Sequence, residues 1–460
     1  MRKLLATGAA LILLAGAAIA VGSLAWRPTA RSGPARITLV AAGTGQLEAG
    51  VASVALQPLP GTPIAGFPRL DWHSEGEREP VMVRALYLGE PGARVAIASV
   101  EVLLVTSELT REVKARLRDL ELDHLILAAT HTHAGPGGWW RDPLAQRVAL
   151  GPYDHARLEH LAERVAQAVR DAVGARQPAA LAIGQTQAAR LVRNRAGGEV
   201  DARLVSLRII GQSGEDLARV VVFPSHPTML GSRNVKLSGD WPGALASSSR
   251  TPLLFFQGAS GDQSTRTPKG RERDPEAYAK RVAAELATIR HGEPDATPQL
   301  AVAIARAVLP PPALGASPPL FRRVTRNLLY DLFPDRAEVT ALRLGELTLI
   351  AVPAEPVASI GQHWRDRIGA GTEIVSLAGD YLGYVETPEQ MERAAGETPR
   401  TYFGPELEQR LEAAVVLAAT EAKRAALKAE ERESGAHASG DAAASAGAIG
   451  PAEPHPAATP

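Results

Sequence analysis

The sequence predicts an α/β fold in which mixed β-sheets are flanked by helices and built into one main domain. Its 460 residues are 45% hydrophobic and 22% charged, which is the composition of a chain with a buried core. Short apolar runs rich in branched residues are interleaved with longer amphipathic segments, without the strict alternation of a purely parallel sheet. Polar residues directly follow several predicted strands, and α/β sheets place their binding pockets at such strand ends.

An uncharged apolar segment opens the chain. Arg2 and Lys3 precede Leu4–Trp26, which contains no charged residue and is long enough to cross a hydrocarbon core of about 30 Å. We expect residues 1–26 to be an uncleaved membrane anchor whose basic end stays inside, so that the body is exported and faces outward from the cytoplasmic membrane. The alternative is a signal segment cleaved near Ala18–Ala20, which would give a secreted protein.

Residues 47–430 form the predicted domain, after a polar linker over residues 27–46. Residues 431–460 are predicted to be a disordered tail, because their small residues and prolines bury too little apolar surface to fold. The main predicted elements are hairpin strands over Val81–Leu88 and Arg94–Val100, a helix over Thr106–Leu120, a strand over Leu125–Ala129, a helix over Tyr153–Val173, strands over Val220–Phe223 and Leu253–Phe256, a helix near Pro275–Arg290, a hairpin over Thr340–Glu355 and a helix near Pro405–Lys428.

Charge and cysteine content exclude several classes of function. The formal net charge is zero, so nothing predicts nucleic acid as a partner. The chain has no cysteine, which excludes disulfides, thiolate nucleophiles and cysteine-bound zinc. A bound metal would therefore be held by histidine, carboxylate or other oxygen donors.

Two histidines follow the predicted strand Leu125–Ala129. In an extended chain His131 and His133 point to the same face, because side chains alternate along a strand. The next residues, Ala134–Gly138, carry almost no side chains, so backbone amides and a ligand can approach the imidazoles. This pattern fits a metal or carbonyl-polarising site, and it also fits two hydrogen-bonded histidines in a surface turn.

Two more polar positions also follow predicted strands. His226 comes after Val220–Phe223 and stands before a proline, where a loop-capping histidine is the alternative interpretation. Ser264 comes after Leu253–Phe256 through a glycine-rich turn, and such turns present nucleophilic serines. The turn lacks the G-x-S-x-G pattern, so an ordinary turn serine fits equally.

The C-terminal part of the domain supplies a carboxylate and two tyrosines. Glu355 ends the strongly apolar strand of "LIAVPAE" and is either a site residue or the N-cap of a helix over Pro356–Arg367. Tyr381 and Tyr384 lie beside glycines in "LAGDYLGY", and ordinary packing is the alternative fate of both.

Read together, these segments resemble a known family. The elements "THTHAGPGG", "FPSHPT", "SGDWPG", "GASGDQS", "AVPAEP" and "YLGYVETPEQ" occur in the order found in neutral, non-lysosomal ceramidases, over roughly Val51 to Leu417. The resemblance implies a zinc amidohydrolase that splits ceramide into a sphingoid base and a fatty acid in a single catalytic domain. The zinc ligands that it implies are His131, His226, Glu355 and Tyr384.

The resemblance also implies three residues around the substrate, namely His133, Arg195 and Ser264. His133 matches a histidine that points at the substrate, and Arg195 in "RNRAGG" matches a substrate-contacting arginine. Ser264 matches an essential serine, and its role as nucleophile or as helper stays open. Two nitrogens and two oxygens suit Zn²⁺ and leave a position for water. Such a site would lower the pKa of that water and polarise an amide carbonyl.

The chain departs from the family pattern around the substrate. Thr265-Arg266 follows the serine where the family usually has Pro-Asn, and Gly396 stands in place of a tyrosine. The segment before "TALRLG" is short, and the chain enters its low-complexity tail where the family continues into an immunoglobulin-like domain. The sequence therefore predicts a membrane-anchored amidohydrolase of ceramide or a related N-acyl lipid. The alternative is a lipid- or partner-binding protein of the same fold without turnover.

Overall fold

The computed structural model describes residues 14, 16, 17, 30–268, 273–315, 317 and 321–446, with side chains up to residue 434. The strands in this part are β1 (Arg36–Ala42), β2 (Glu48–Ala55), β3 (Met82–Glu90), β4 (Ala93–Val100), β5 (His124–Ala129), β6 (Gln177–Gln187), β7 (Val192–Asn194), β8 (Arg203–Gly211), β9 (Asp216–Phe223), β10 (Leu253–Gln257), β11 (Gln263–Thr265), β12 (Leu300–Val308), β13 (Arg336–Leu344), β14 (Leu347–Ala351), β15 (Glu355–Pro356), β16 (Thr372–Val375) and β17 (Tyr384–Val385). The α-helices are Ser107–Arg116, Pro143–Ala145, His155–Gly174, Asp240–Ser248, Pro275–Leu286, Arg322–Leu329, Ala358–Ile368, Pro388–Glu392 and Glu406–Ala446, with a π-turn at Gln146–Leu150 and a 3₁₀ turn at Thr398–Arg400.

The larger sheet has the order β10-β9-β8-β6-β2-β3-β4-β5. Its two halves are joined by only two residue pairs between β2 and β6. The sheet also curves until its two edge strands meet. The Ser99 hydroxyl of β4 donates to Phe255 O of β10 (2.6 Å), and the Gln257 amide donates to Thr130 O just beyond β5 (3.2 Å). This curvature brings the ends of β5, β9 and β10 close together.

A second sheet has the order β1-β12-β13-β14-β16. It packs face to face on the larger sheet through one shared apolar cluster, which includes Leu88, Leu207, Val302 and Leu349. Helices cover the outer face of each sheet, so the body has four layers, and the described residues form four buried apolar clusters. β5 is buried at every position, which explains why its sequence is continuously apolar rather than alternating.

Local sequence accounts for the covering helices. The helix His155–Gly174 begins after Asp154, whose carboxylate accepts a hydrogen bond from Ala156 N, as helix-capping residues do. Its buried stripe includes Leu158, Leu161 and Val165, at the spacing of one helix face. The predicted helices near Thr106–Leu120 and Pro275–Arg290 and both predicted hairpins are confirmed, with shorter helix ends.

Two boundaries differ from the sequence prediction. The expected linker over residues 27–46 contains β1, which pairs with β12 because alternate residues of Arg36–Ala42 turn inward. The expected disordered tail is helical from residue 431 to Ala446, since its many alanines favour a helix even without a core to cover. The remaining tail residues and most of the predicted anchor, residues 1–26, lie outside the described residues. Within the described part, no helix is both long and apolar enough to span a bilayer.

Candidate metal centre

His131 lies just beyond the end of β5. Its φ of 69° places it in the left-handed region, so the chain here is a turn, and strand alternation is the wrong reason for the two histidines to converge. The His131 N–H donates to Val102 O (3.1 Å), and its Nδ1 bonds to Leu103 O (2.7 Å). These two contacts with the segment after β4 fix the direction of Nε2.

His226 follows β9 and lies beside the segment that carries Ser264. Residues 226 and 264 form a single parallel bridge, and His226 Nδ1 bonds to Gln263 O at 2.9 Å. Both His226 and Ser264 are buried, and Ser264 lies in β11, which pairs with β7. The structure therefore places Ser264 next to a histidine of the cluster.

Glu355 and Tyr384 lie on a separate two-stranded sheet, β15-β17. Glu355 follows β14 and begins β15, whose partner is β17, and in this parallel pair residue 355 faces residue 384. Backbone pairing thus places these two residues next to each other. The N-cap of the next helix is Val357, so the alternative that Glu355 is itself the cap is wrong.

Four side-chain atoms meet at one point between these elements. His131 Nε2 lies 3.1 Å from His226 Nε2, and the two nitrogens lie 3.1 and 3.4 Å from Glu355 Oε2. Tyr384 Oη lies 3.3 Å from His226 Nε2. A zinc ion bonded at about 2.0–2.1 Å to tetrahedral donors has donors about 3.3 Å apart. These separations therefore fit the four predicted ligands around one small cation.

The hydrogen bonds on the far side of each imidazole support the same interpretation. His131, His226 and His133 each direct Nδ1 at a backbone carbonyl, so in the neutral rings Nδ1 carries the proton and Nε2 presents a lone pair. Lone pairs that face one another and a carboxylate in a buried site repel, unless a cation lies between them. Glu355 Oε2 also has no hydrogen-bond donor among the described residues. The donor set fits a divalent metal ion.

Electrostatics give the donors suitable protonation states. Burial and the nearby Arg195 lower the pKa of His226 to about 4. Burial by itself raises the pKa of Glu355, but the adjacent His131 and His226 outweigh this effect and hold that pKa well below its usual value. Burial and the Glu355 charge raise the pKa of Tyr384, against the effect of Arg195. The set thus includes a neutral His226 imidazole, one carboxylate and a phenol near neutral pH.

His133 lies at the edge of this cluster. Its Nε2 is 3.4 Å from His131 Nε2, and its three-histidine group with His131 and His226 also satisfies the spacing of metal ligands. Of these three histidines, His131 and His226 also contact Glu355, which favours those two as the metal ligands. The Gly66 carbonyl accepts from His133 Nδ1 (2.9 Å), and a Cβ at Gly66 would lie only 2.4 Å from His133 Cα.

The glycine loop after His133 has a different role from the one expected. A Cβ at Gly137 would lie 2.2 Å from Leu150 O, and its amide already donates to Pro63 O at 2.7 Å. The Gly138 amide donates to Leu150 O at 2.7 Å. The prediction that this loop opens its amides to a ligand is wrong at these two residues, because the chain itself packs there.

Arg195 reaches the cluster from the end of β7. Its guanidinium donates to Tyr384 Oη (3.1 Å), to Gly261 O (2.6 Å) and, through Nε, to Glu397 Oε1 (2.8 Å). Gly396, which departs from the family pattern, has φ 59°, and a Cβ there would lie 2.3 Å from Glu386 Oε2. A tyrosine does not fit this backbone, and the next residue, Glu397, instead turns its carboxylate to Arg195.

Two residues outside the predicted site hold the donors in place: Tyr381, whose role the sequence left open between a site residue and packing, and Glu397, which the sequence did not indicate. The Tyr381 hydroxyl donates to Glu355 Oε1 at 2.8 Å, so this tyrosine does more than pack. Glu397 is buried and orients Arg195. The position of Tyr381, one turn of chain before Tyr384 and beside glycines, was the available signal. Nothing local marked Glu397, since its partner is 202 residues away in the chain.

Comparison with known proteins finds a region similar to ceramidases. The model of the neutral/alkaline non-lysosomal ceramidase N-terminal region matches residues 58–250. This region of the chain is therefore similar to neutral/alkaline non-lysosomal ceramidases. The matched region contains His131, His133, Arg195 and His226, whereas Ser264, Glu355 and Tyr384 lie beyond it.

Individual ceramidases are distant relatives. The chain is 25% identical over 176 residues to neutral ceramidase A of Dictyostelium discoideum, covering 34% of this chain and 24% of that protein. It is 24% identical over 195 residues to neutral ceramidase of Pseudomonas aeruginosa, covering 38% and 29%. The matched stretches thus span about a quarter of the lengths of these curated relatives.

Similarity of fold extends further than similarity of sequence. The crystal structure of the Pseudomonas aeruginosa neutral ceramidase superposes with a TM-score of 0.71 at 18% identity, covering 82% of this chain and 75% of that one. A ceramidase complexed with C2 gives the same TM-score at 19% identity, covering 83% and 75%. The mixed α/β fold predicted from sequence is therefore shared with ceramidases.

Proposed function

We propose that this protein is a zinc-dependent amidohydrolase that cleaves the amide bond of ceramide or a related N-acyl lipid, giving a sphingoid base or another amine and a fatty acid. The observation that carries this proposal is the meeting of two imidazole nitrogens, a carboxylate oxygen and a phenol oxygen within 3.1–3.4 Å contacts. The ceramidase family relationship of residues 58–250 supports the substrate class.

The proposed metal is a single zinc ion held by His131, His226, Glu355 and Tyr384. When bound, zinc supplies Lewis-acid polarisation of the amide carbonyl and activation of water. Tyr381 keeps the Glu355 carboxylate oriented through its 2.8 Å hydrogen bond, as outer partners of metal ligands do. Burial of the cluster excludes bulk water and strengthens each of these interactions.

Three residues of the chain would act on the substrate itself. Arg195 holds a permanent charge beside Tyr384 Oη and can stabilise the oxyanion that forms when the carbonyl is attacked. His133, neutral at rest because burial lowers its pKa, can take the proton of the attacking water on Nε2. It then delivers this proton to the amine nitrogen as the C–N bond breaks. Ser264 is proposed to orient substrate and water, since it lies beside His226.

The proposed setting is the outer face of the cytoplasmic membrane. The uncharged segment Leu4–Trp26 would anchor the body there, next to a lipid substrate. Cleavage of that segment would instead release the same enzyme into the exterior.

The test combines metal analysis with a mass-spectrometric screen. The full chain in detergent should bind one zinc and release fatty acid from ceramide or another N-acyl lipid, and chelation should abolish the release until zinc is restored. His131→Ala and His226→Ala should each lose both zinc and activity, while the exposed His155→Ala should keep both. Retention of zinc by both cluster variants would show that the ligands are wrongly assigned. Stoichiometric zinc without turnover of any N-acyl lipid would favour the binding protein.

A further inference from the structure

An exposed apolar stripe lies on the helix Arg322–Leu329 and the turn that follows it. Phe321, Leu328 and Leu332 are 42, 47 and 61% exposed. Leu328 comes seven residues after Phe321, which places these two on one side of the helix, and Leu332 follows in the turn after it. Arg322 and Arg323 beside them are also exposed. Large apolar side chains flanked by arginines are typical of segments that lie in a membrane interface.

The N-terminal segment reaches the described structure at this same surface. The Arg31 guanidinium lies 4.2 Å from the ring centre of Tyr330 and donates to the carbonyls of Tyr330 (3.1 Å) and Pro334 (3.0 Å). Leu4–Trp26 ends five residues earlier. Five residues span at most about 18 Å. If Leu4–Trp26 lies in a bilayer, Arg31 is therefore within about 18 Å of the end of that segment, and its contacts with Tyr330 and Pro334 keep this surface on the membrane side of the body.

The same surface is connected to the metal centre through aromatic rings. Phe333, at the end of this segment, packs on Tyr402 with ring centres 5.5 Å apart. Tyr402 packs on Tyr381 at 6.1 Å, and the Tyr381 hydroxyl bonds to Glu355. A continuous series of side-chain contacts thus runs from the segment with the exposed stripe to the metal centre.

The charge of the segment indicates the kind of membrane. Phe321 to Arg336 contains four arginines and two aspartates, whereas the whole chain is neutral. An excess of positive charge at an apolar surface complements anionic headgroups, and each basic residue near such a surface strengthens binding about fivefold.

We propose that Phe321, Arg322, Arg323, Leu328 and Leu332, here called the docking surface, bind an anionic lipid bilayer. Docking holds the metal centre at the level of the lipids, so that substrate enters from the bilayer rather than from water. The docking itself is independent of catalysis, and only the second statement rests on the proposed function.

Fluorescence of a single label tests the docking. The chain lacks cysteine, so Leu332→Cys carries a polarity-sensitive dye at one defined position. The control is Leu427→Cys, an exposed leucine on the long helix Glu406–Ala446. The full-length protein is reconstituted into vesicles of phosphatidylcholine, with and without phosphatidylglycerol. We expect the dye at 332 to move to an apolar environment in anionic vesicles, and the dye at 427 to stay in water.

The dependence of docking on charge is tested with the double variant Arg322→Gln/Arg323→Gln, in which docking to anionic vesicles should weaken about 30-fold. The matched control is Arg250→Gln/Arg290→Gln, a pair of exposed arginines beside the larger sheet, which should leave docking unchanged. Equal responses of the two dyes would overturn the proposal. So would a dye at 332 that responds equally to vesicles with and without phosphatidylglycerol, because the anionic headgroups would then play no part.

Activity separates this proposal from the proposed function. Arg322→Gln/Arg323→Gln should slow hydrolysis of a long-chain N-acyl lipid in anionic vesicles at least tenfold and leave a short-chain, soluble N-acyl substrate unaffected. Equal loss on both substrates would overturn the proposed route of entry. No hydrolysis of either substrate by the unmodified protein would reject the proposed function, while the dye experiment would still decide the docking.

Discussion

Removal of one hydroxyl, in Tyr381→Phe, should weaken zinc binding without touching a metal ligand. The Tyr381 hydroxyl donates to Glu355 Oε1 at 2.8 Å, and the other oxygen of that carboxylate faces His131 and His226. A hydrogen bond to a charged group contributes about 1.5–3 kcal/mol. This corresponds to about a 10- to 100-fold loss of affinity, in line with the effect of other partners of metal ligands.

Competition with a chelating dye would measure the zinc dissociation constant, and thermal unfolding of the metal-free protein would show whether the fold is retained. Tyr87→Phe is the matched control, since it removes the hydroxyl of a buried tyrosine in β3, away from the cluster. An unchanged zinc affinity in Tyr381→Phe, with the control also unchanged, would refute the view that this hydrogen bond orients the carboxylate. A loss in both variants would point to a general effect on stability.

Three further outcomes follow from the contacts described. Glu397→Gln keeps the shape but removes the charge that holds Arg195, so kcat should fall by about tenfold while zinc content stays constant; an unchanged kcat would contradict this. Gly396→Ala should lower the free energy of unfolding in urea by about 1–3 kcal/mol, because its φ is 59° and the new Cβ meets Glu386. Burial raises the pKa of Glu90 from 4.5 to about 7. The stability that protonation of Glu90 adds to the folded state is therefore fully present below pH 4.5 and is lost as the pH rises through 7. Relative to Glu90→Gln, the unmodified protein should therefore lose up to about 3 kcal/mol of stability between pH 5 and pH 8, and a flat difference would show that this carboxyl stays ionised.

Pairing between strands explains why part of the site needs the tertiary structure. Glu355 and Tyr384 are 29 positions apart, yet they face each other because β15 and β17 pair in parallel. Motif resemblance placed both among the expected ligands, but no local pattern shows that this pairing exists. The structure differs from the expected linker because residues of β1 pair with β12, and it differs from the expected disordered tail as far as Ala446, where the last helix ends.

By itself the sequence determined the mixed α/β fold, most element positions and the family-like motifs. Apolar periodicity and strand-end polar residues are local properties that do not depend on how the sheets are arranged. Tertiary structure decided that β5 and β9 end beside each other, because the larger sheet curves until its edges meet. It also decided that Tyr381 and Glu397 support Glu355 and Arg195. These contacts join residues far apart in the chain, and only the packed layers fix their distances.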